Sequence, residues 1–340
     1  MGSMKHGIVT LREMWRLQDA HQFKQIHALP SGLFLLSGGF DAPTLPQSRT
    51  ACSIGVIDPR QSTFIWKETQ FGNKPFDYSC FTTTQAIGVI PNRFKTDFSG
   101  LMRFDLATGQ RLQKDVPANG VQGVAPLGGE SVVYALWEGR SSLVAVSGDT
   151  HSVQELSEDR FFRIAGLTAY DDQHFVSTME RTYAKNGKGA VEYVHQLRTH
   201  EGRVVWEHST RNESITVSPG RDFIFTYPNA GPDSPSRIEA IEAKSGIELD
   251  SWRVPSSLAN LVALSSTVVL YCDPSYRLCV YDLRRGENVV RCSFPSDCPG
   301  WLAISVDHHH RTILACKANN FMAPMSTIAA FGYDVSEIAS

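Results

Sequence analysis

The sequence predicts an all-β fold, a seven-bladed β-propeller fastened by its own first strand, and three observations point to it. One pattern, an alternating apolar strand followed by Asp or another turn residue and then Gly or Pro, recurs about seven times. Its spacing of roughly 35–50 residues is the length of a propeller blade. Period-two alternation with β-branched and aromatic residues dominates the chain, and helical periodicity is nearly absent.

The recurring strands are Ile54–Pro59, Met102–Gly109, Leu143–Gly148, Val194–Gly202, Ile238–Gly246, Leu278–Gly286 and Ile328–Asp334. Each fits the third strand of a four-stranded blade. Ser214–Val217, the turn Pro219-Gly220-Arg221 and Phe223–Tyr227 show how a first and second strand precede it. Fourth strands follow in Phe64–Lys67, Val204–Glu207 and Leu249–Arg253. After the last copy only Val335–Ser340 remain, too few for a fourth strand, whereas Val9–Leu17 is a strand without a blade. Pairing the two closes the ring and removes an open edge. The count then closes at seven, with six blades and one merged unit as the rival. The expectation is one propeller domain over 1–340, in which Met1-Gly2-Ser3 reads as an expression remnant before a start at Met4.

Apolar residues make up 42% of the chain, enough for a large core, yet no apolar run approaches the ~18 residues of a membrane span. A formal net charge of −3 gives no general attraction to nucleic acid or anionic lipid. Seven cysteines is an odd number without framework spacing, and the N-terminus lacks the apolar run of a secretory signal. The chain therefore reads as cytoplasmic with reduced thiols.

First-to-second-strand turns are short, while second-to-third-strand connections are long at 38–50, 91–99, 180–189, 228–237 and 319–327. All of the long ones emerge on one face. Long connections cost closure entropy and are commonly kept for binding, so the site is expected there. Glu138 and Asp273, near the ends of second strands and almost opposite across a ring of seven, are the candidate acid–base pair. Arg49, Arg93, Arg140 and Arg277 could anchor an acidic or phenolate group. Trp137, Tyr183, Tyr227, Tyr276, Asn260 and Trp301 complete the expected substrate-binding set.

His308-His309-His310 falls in a short turn on the other face, where adjacent side chains diverge, so no metal site is expected there. Cys272 and Cys279 flank a turn and could face each other across a hairpin. No G-x-S-x-G elbow, HExxH or P-loop occurs.

Ala259–Ser265 with Val269–Asp273, and Pro299–Asp307, resemble repeat segments of the gluconolactonase (senescence marker protein) propellers. That resemblance implies a central divalent ion held by a glutamate, two asparagines and an aspartate, with lactone hydrolysis as the activity. Asn260 matches one asparagine, Trp301 stands in place of the aspartate, and no glutamate matches. Ile241–Gly246 followed by Trp252 is also similar to quinoprotein dehydrogenase blades, although this chain lacks the vicinal cysteines of those enzymes. The eroded metal positions and long connections are similar in outline to fungal gluconolactonase-like propellers that act as hetero-Diels–Alderases.

The function these features imply is a cofactor-independent enzyme, of pericyclase, isomerase or dehydratase type, acting on a hydrophobic oxygenated small molecule. No nucleic-acid or membrane partner is expected. An interaction scaffold and a metal-dependent lactonase are the alternatives.

Overall fold

The computed structural model of the chain describes residues 9–42, 49–71, 75–90, 100–112, 116–117, 120–137, 141–147, 150–157, 162–185, 188–228, 236–254, 258–273, 277–293, 300–319 and 325–335. Among them there are strands and turns but no helix, and so none long and apolar enough to cross a membrane. The strands form seven four-stranded antiparallel sheets arranged as blades around an axis. Blades 1 to 6 span 23–71, 78–117, 121–157, 162–210, 214–254 and 259–293. Blade 7 takes three strands from 300–335 and its fourth from β1, Val9–Asp19.

Every recurring segment lies on the third strand of its blade or on the turn that follows it. The closing strand pairs antiparallel with Met325–Val335, from Val9↔Val335 to Asp19↔Ser326. Asp19 then ties it to the first blade, accepting from the Lys67 ammonium at 2.8 Å and from the His21 ring at 2.7 Å. Burial alone would raise the Asp19 carboxyl, but these two partners outweigh it and hold it below its ordinary value.

The core is a set of apolar interleaves between adjacent blades rather than one central cluster. Phe225, Ile238 and Val254 of blade 5 pack on Leu261, Val269 and Tyr271 of blade 6, for example. Fourth-strand tryptophans lock three seams. Trp66 donates its indole N–H to the Leu106 carbonyl at 2.8 Å, and Trp206 donates to the Ala243 carbonyl at 2.8 Å. Trp15 does the same for the Pro59 carbonyl. Each acceptor lies in the turn after the third strand of the next blade, so the Gly ending that turn has a physical reason. Gly246 has φ +74°, and a Cβ there would come within 2.8 Å of the Trp206 ring. Gly109 stands in the same relation to Trp66.

Two local expectations change and one holds. Residues 180–189 are not an open connection, because His174–Lys185 and Lys188–Thr199 pair as a long hairpin as far as Lys185↔Lys188. Alternation continues through this stretch, and paired strand satisfies its backbone groups better than a loop would. Cys272 and Cys279 do not face each other. Cys272 is opposite Leu278, one position out of register with Cys279, so the two thiols enter the cores on opposite sides of blade 6. The histidines of 308–310 diverge as expected: His308 reaches the Tyr333 hydroxyl at 2.9 Å, and His310 reaches Asp307 at 2.6 Å.

Candidate functional site

First strands run from the face carrying the long connections toward the face carrying the short turns. At the loop-face end, the inner strands of blades 2 to 5 enclose a cavity of about 450 Å³. A row of three side chains crosses its blade-4 wall. Arg163, Glu180 and Tyr193 are register neighbours on the first, second and third strands, paired as Arg163↔Glu180 and Glu180↔Tyr193. Period-two alternation puts such partners on one face of the sheet.

The Arg163 guanidinium donates twice to one Glu180 oxygen, from Nε at 3.0 Å and Nη2 at 2.6 Å. Across the seam, Tyr193 donates its hydroxyl to Glu213 at 3.1 Å. Glu213 immediately precedes the first strand of blade 5, Ser214–Val217. Burial, reinforced by the Glu213 and Glu180 carboxylates, pushes the Tyr193 phenol up to about 12. Tyr193 thus keeps its proton at neutral pH and is a hydrogen-bond donor. Tyr78, Gln122, Leu167, Ile215 and Tyr227 supply the remaining wall. Burial pushes the Tyr227 phenol up to about 12 as well.

Of the residues singled out from sequence, Tyr227 lines this cavity. Asp273 is buried in blade 6 and fastens its own turn: it accepts from the Arg277 backbone amide at 2.9 Å and from the Arg277 guanidinium at 2.7 Å. Arg277 is thereby engaged within the same turn. Trp137 is half-buried at the end of its strand and donates its backbone N–H to the Gly120 carbonyl at 2.9 Å. Asn260 is exposed, with φ +52°. Arg93, Glu138, Arg140 and Tyr276 lie outside the described residues, as do the side chains of Arg49, Tyr183 and Trp301.

Arg163, Glu180, Tyr193 and Glu213 carry no motif spacing, and Glu213 sits inside the sequon-like Asn212-Glu213-Ser214. The signal that could have found three of them is alternation: Glu180 and Tyr193 become opposite once 180–189 is read as a hairpin.

Two further clefts open on the turn face. One, of about 810 Å³ between blades 3 and 4, includes Gly128, Gly129, Asp172, Gln173, His200 and Glu201 in its wall. Its neighbour, of about 500 Å³, is formed by the first turns of blades 1 to 5 and includes Leu29, Phe81, Pro126 and Tyr170. The larger cleft has more room, but its ionisable side chains sit in exposed turns. His200 and Glu201, for instance, are each about half exposed. The loop-face cavity joins a protonated phenol, two carboxylates and a guanidinium against paired strands, whereas the comparable set Tyr170, Asp171, Asp172 and Arg221 of the smaller turn-face cleft sits in turns.

No protein-family model matches the chain, and no curated protein matches it in sequence. Its fold is similar to that of the β-propeller domain of Cps50 (Swd1) from Myceliophteria thermophila, with a TM-score of 0.67 and 11% identity. That match covers 94% of this chain and 99% of the other. At this identity the likeness establishes the seven-bladed propeller fold and leaves the function to the site.

Proposed function

We propose that this propeller is a cofactor-independent enzyme that binds an oxygenated small molecule at the loop-face mouth and assists its rearrangement by proton transfer. The observation carrying this reading is the Tyr193–Glu213 pair beside the Arg163–Glu180 pair, all lining a cavity of about 450 Å³. That volume suits a small organic ligand. Tyr193 would donate to a substrate carbonyl or leaving oxygen. Glu213, once released from the Tyr193 hydroxyl, would accept a proton from carbon or oxygen. Arg163 would steady the negative charge that develops. Leu167, Ile215, Tyr78 and Tyr227 would hold the apolar part of the substrate in a reactive orientation.

Dehydration and isomerisation need orientation and one acid–base pair, whereas an oxygen-containing cycloaddition needs orientation and a hydrogen-bond donor such as Tyr193, with no proton transferred. The hetero-Diels–Alderase-like propellers offer an analogy for it. Residues of this kind contribute about 10²–10⁴-fold each in rate. The test is a turnover screen with enolisable and polyene-carbonyl substrates, comparing the wild type with Tyr193→Phe and Glu213→Gln. Conversion by the wild type that both variants lose supports the reading. Conversion that both variants retain removes it.

An interaction scaffold is the second reading. Val204 and Val205 on the fourth strand of blade 4, with Ile247 and Leu249 at that of blade 5, expose large apolar side chains on the rim. Exposed apolar side chains grouped on adjacent outer strands are the kind of surface a protein partner covers.

A further inference from the structure

We propose that the seam between blades 4 and 5 holds a divalent transition-metal site, best suited to zinc, formed by His208, Glu239 and Glu248. One ligand atom from each residue lies within 4.8 Å of the others. His208 stands on the fourth strand of blade 4, Glu239 on the third strand of blade 5 and Glu248 on its fourth, so the site would join two blades at the rim. It is separate from the loop-face cavity, whose lining contains none of the three.

The second observation is an orphaned atom. His208 Nε2 is buried and has no hydrogen-bond partner among the described residues, although it lies 3.8 Å from Glu239 Oε2, too far for a hydrogen bond. A buried imidazole nitrogen left without a partner forfeits its hydration for nothing, which a metal bond would repair. Glu239 is already shaped as a ligand. The Thr210 and Thr226 hydroxyls donate to its Oε2, the oxygen that faces His208, at 2.6 and 3.1 Å and so hold the carboxylate in place.

The cation now serving both carboxylates is the Arg237 guanidinium, at 3.5 Å from Glu239 and 2.8 Å from Glu248. Its side chain is 53% exposed and can swing to solvent, so a metal would replace it without disturbing the core. Zinc takes nitrogen and oxygen ligands at about 2.0–2.2 Å in a tetrahedron, with the fourth position open to water. Closing the cluster to that size requires the ligand atoms, now within 4.8 Å of one another, to draw together, and Glu248, whose side chain is 36% exposed, has the freedom to move.

The test is titration of the chelator-stripped full chain with zinc against a chromophoric indicator, with thermal unfolding in parallel. The expected result is one equivalent bound and a raised Tm. Glu248→Gln, at an exposed position where folding is not at stake, should weaken binding about tenfold or more. Arg237→Gln should tighten it by removing the competing cation. His208→Gln should abolish it. Absence of stoichiometric binding by the folded wild type would overturn the proposal. So would an affinity unchanged in Glu248→Gln, including binding that instead depends on His308–His310.

Discussion

Tyr193 and Glu213 meet across the seam between blades 4 and 5, hydroxyl to carboxylate at 3.1 Å, at the loop-face end of the inner strands. The pair joins two blades yet lies where a ligand can reach it. Tyr193→Phe removes one hydroxyl and keeps the ring, so stability should fall by only about 0.5–1.5 kcal/mol, the net worth of one hydrogen bond. Urea unfolding of the variant checks this. A much larger loss would make the pair a structural tie rather than a reactive one.

The tryptophan seams should be worth more. Trp206→Phe leaves the buried Ala243 carbonyl without its donor and should cost about 1–3 kcal/mol. Gly246→Ala should cost a similar amount for a different reason, because its Cβ would press on the Trp206 ring from a left-handed backbone. The double variant should cost less than the sum, since both act on one contact. Chemical denaturation of the three variants measures this coupling.

Closure of the ring depends on Asp19. Asp19→Ala breaks the contacts to Lys67 and His21 that pin the end of the closing strand to blade 1. A loss of about 2 kcal/mol is expected, between the worth of an exposed pair and that of a fully buried one. The denaturant midpoint should fall with an unchanged slope. Proteolysis should then begin within 9–19.

Acid should destabilise the fold in two stages. His195 is fully buried, with its ring between the Thr178 hydroxyl at 3.0 Å and the Asn212 carbonyl at 2.9 Å. Burial lowers it from 6.5 to about 4. The folded state keeps it neutral while the unfolded chain takes up a proton, so its contribution is intact above pH 6.5 and erodes as pH falls toward 4. On the order of 3 kcal/mol is at stake, at 1.36 kcal/mol per pKa unit. Glu239, depressed to about 2, adds a second loss as pH falls from 4.5 toward 2. Unfolding free energies from pH 8 to 3 should show the first loss in the wild type and a flatter profile in His195→Gln.

The seven repeat strands are legible in sequence because they alternate and stop at turn residues, and at Gly109 and Gly246 the glycine is required by a tryptophan of the preceding blade, Trp66 or Trp206. Strand β1 is legible because the last blade lacks a partner strand. The cavity is harder to read. Its key residues come from three strands of blade 4 and the residue just before the first strand of blade 5, and only the register Arg163↔Glu180↔Tyr193 brings three of them together. Asp273 drew attention as a carboxylate at a strand end, but the same position is where a turn needs an acceptor for the backbone of Arg277.

The most direct measurement is a crystallographic fragment soak, using a small library of carbonyl- and hydroxyl-bearing ring compounds, of the wild type and Glu213→Gln. Fragments should collect in the loop-face cavity with an oxygen against Tyr193 or Arg163, and should be lost or reoriented in the variant. Fragments that ignore this cavity and gather instead at the rim beside Val205 and Leu249 would contradict the enzyme reading and favour a scaffold.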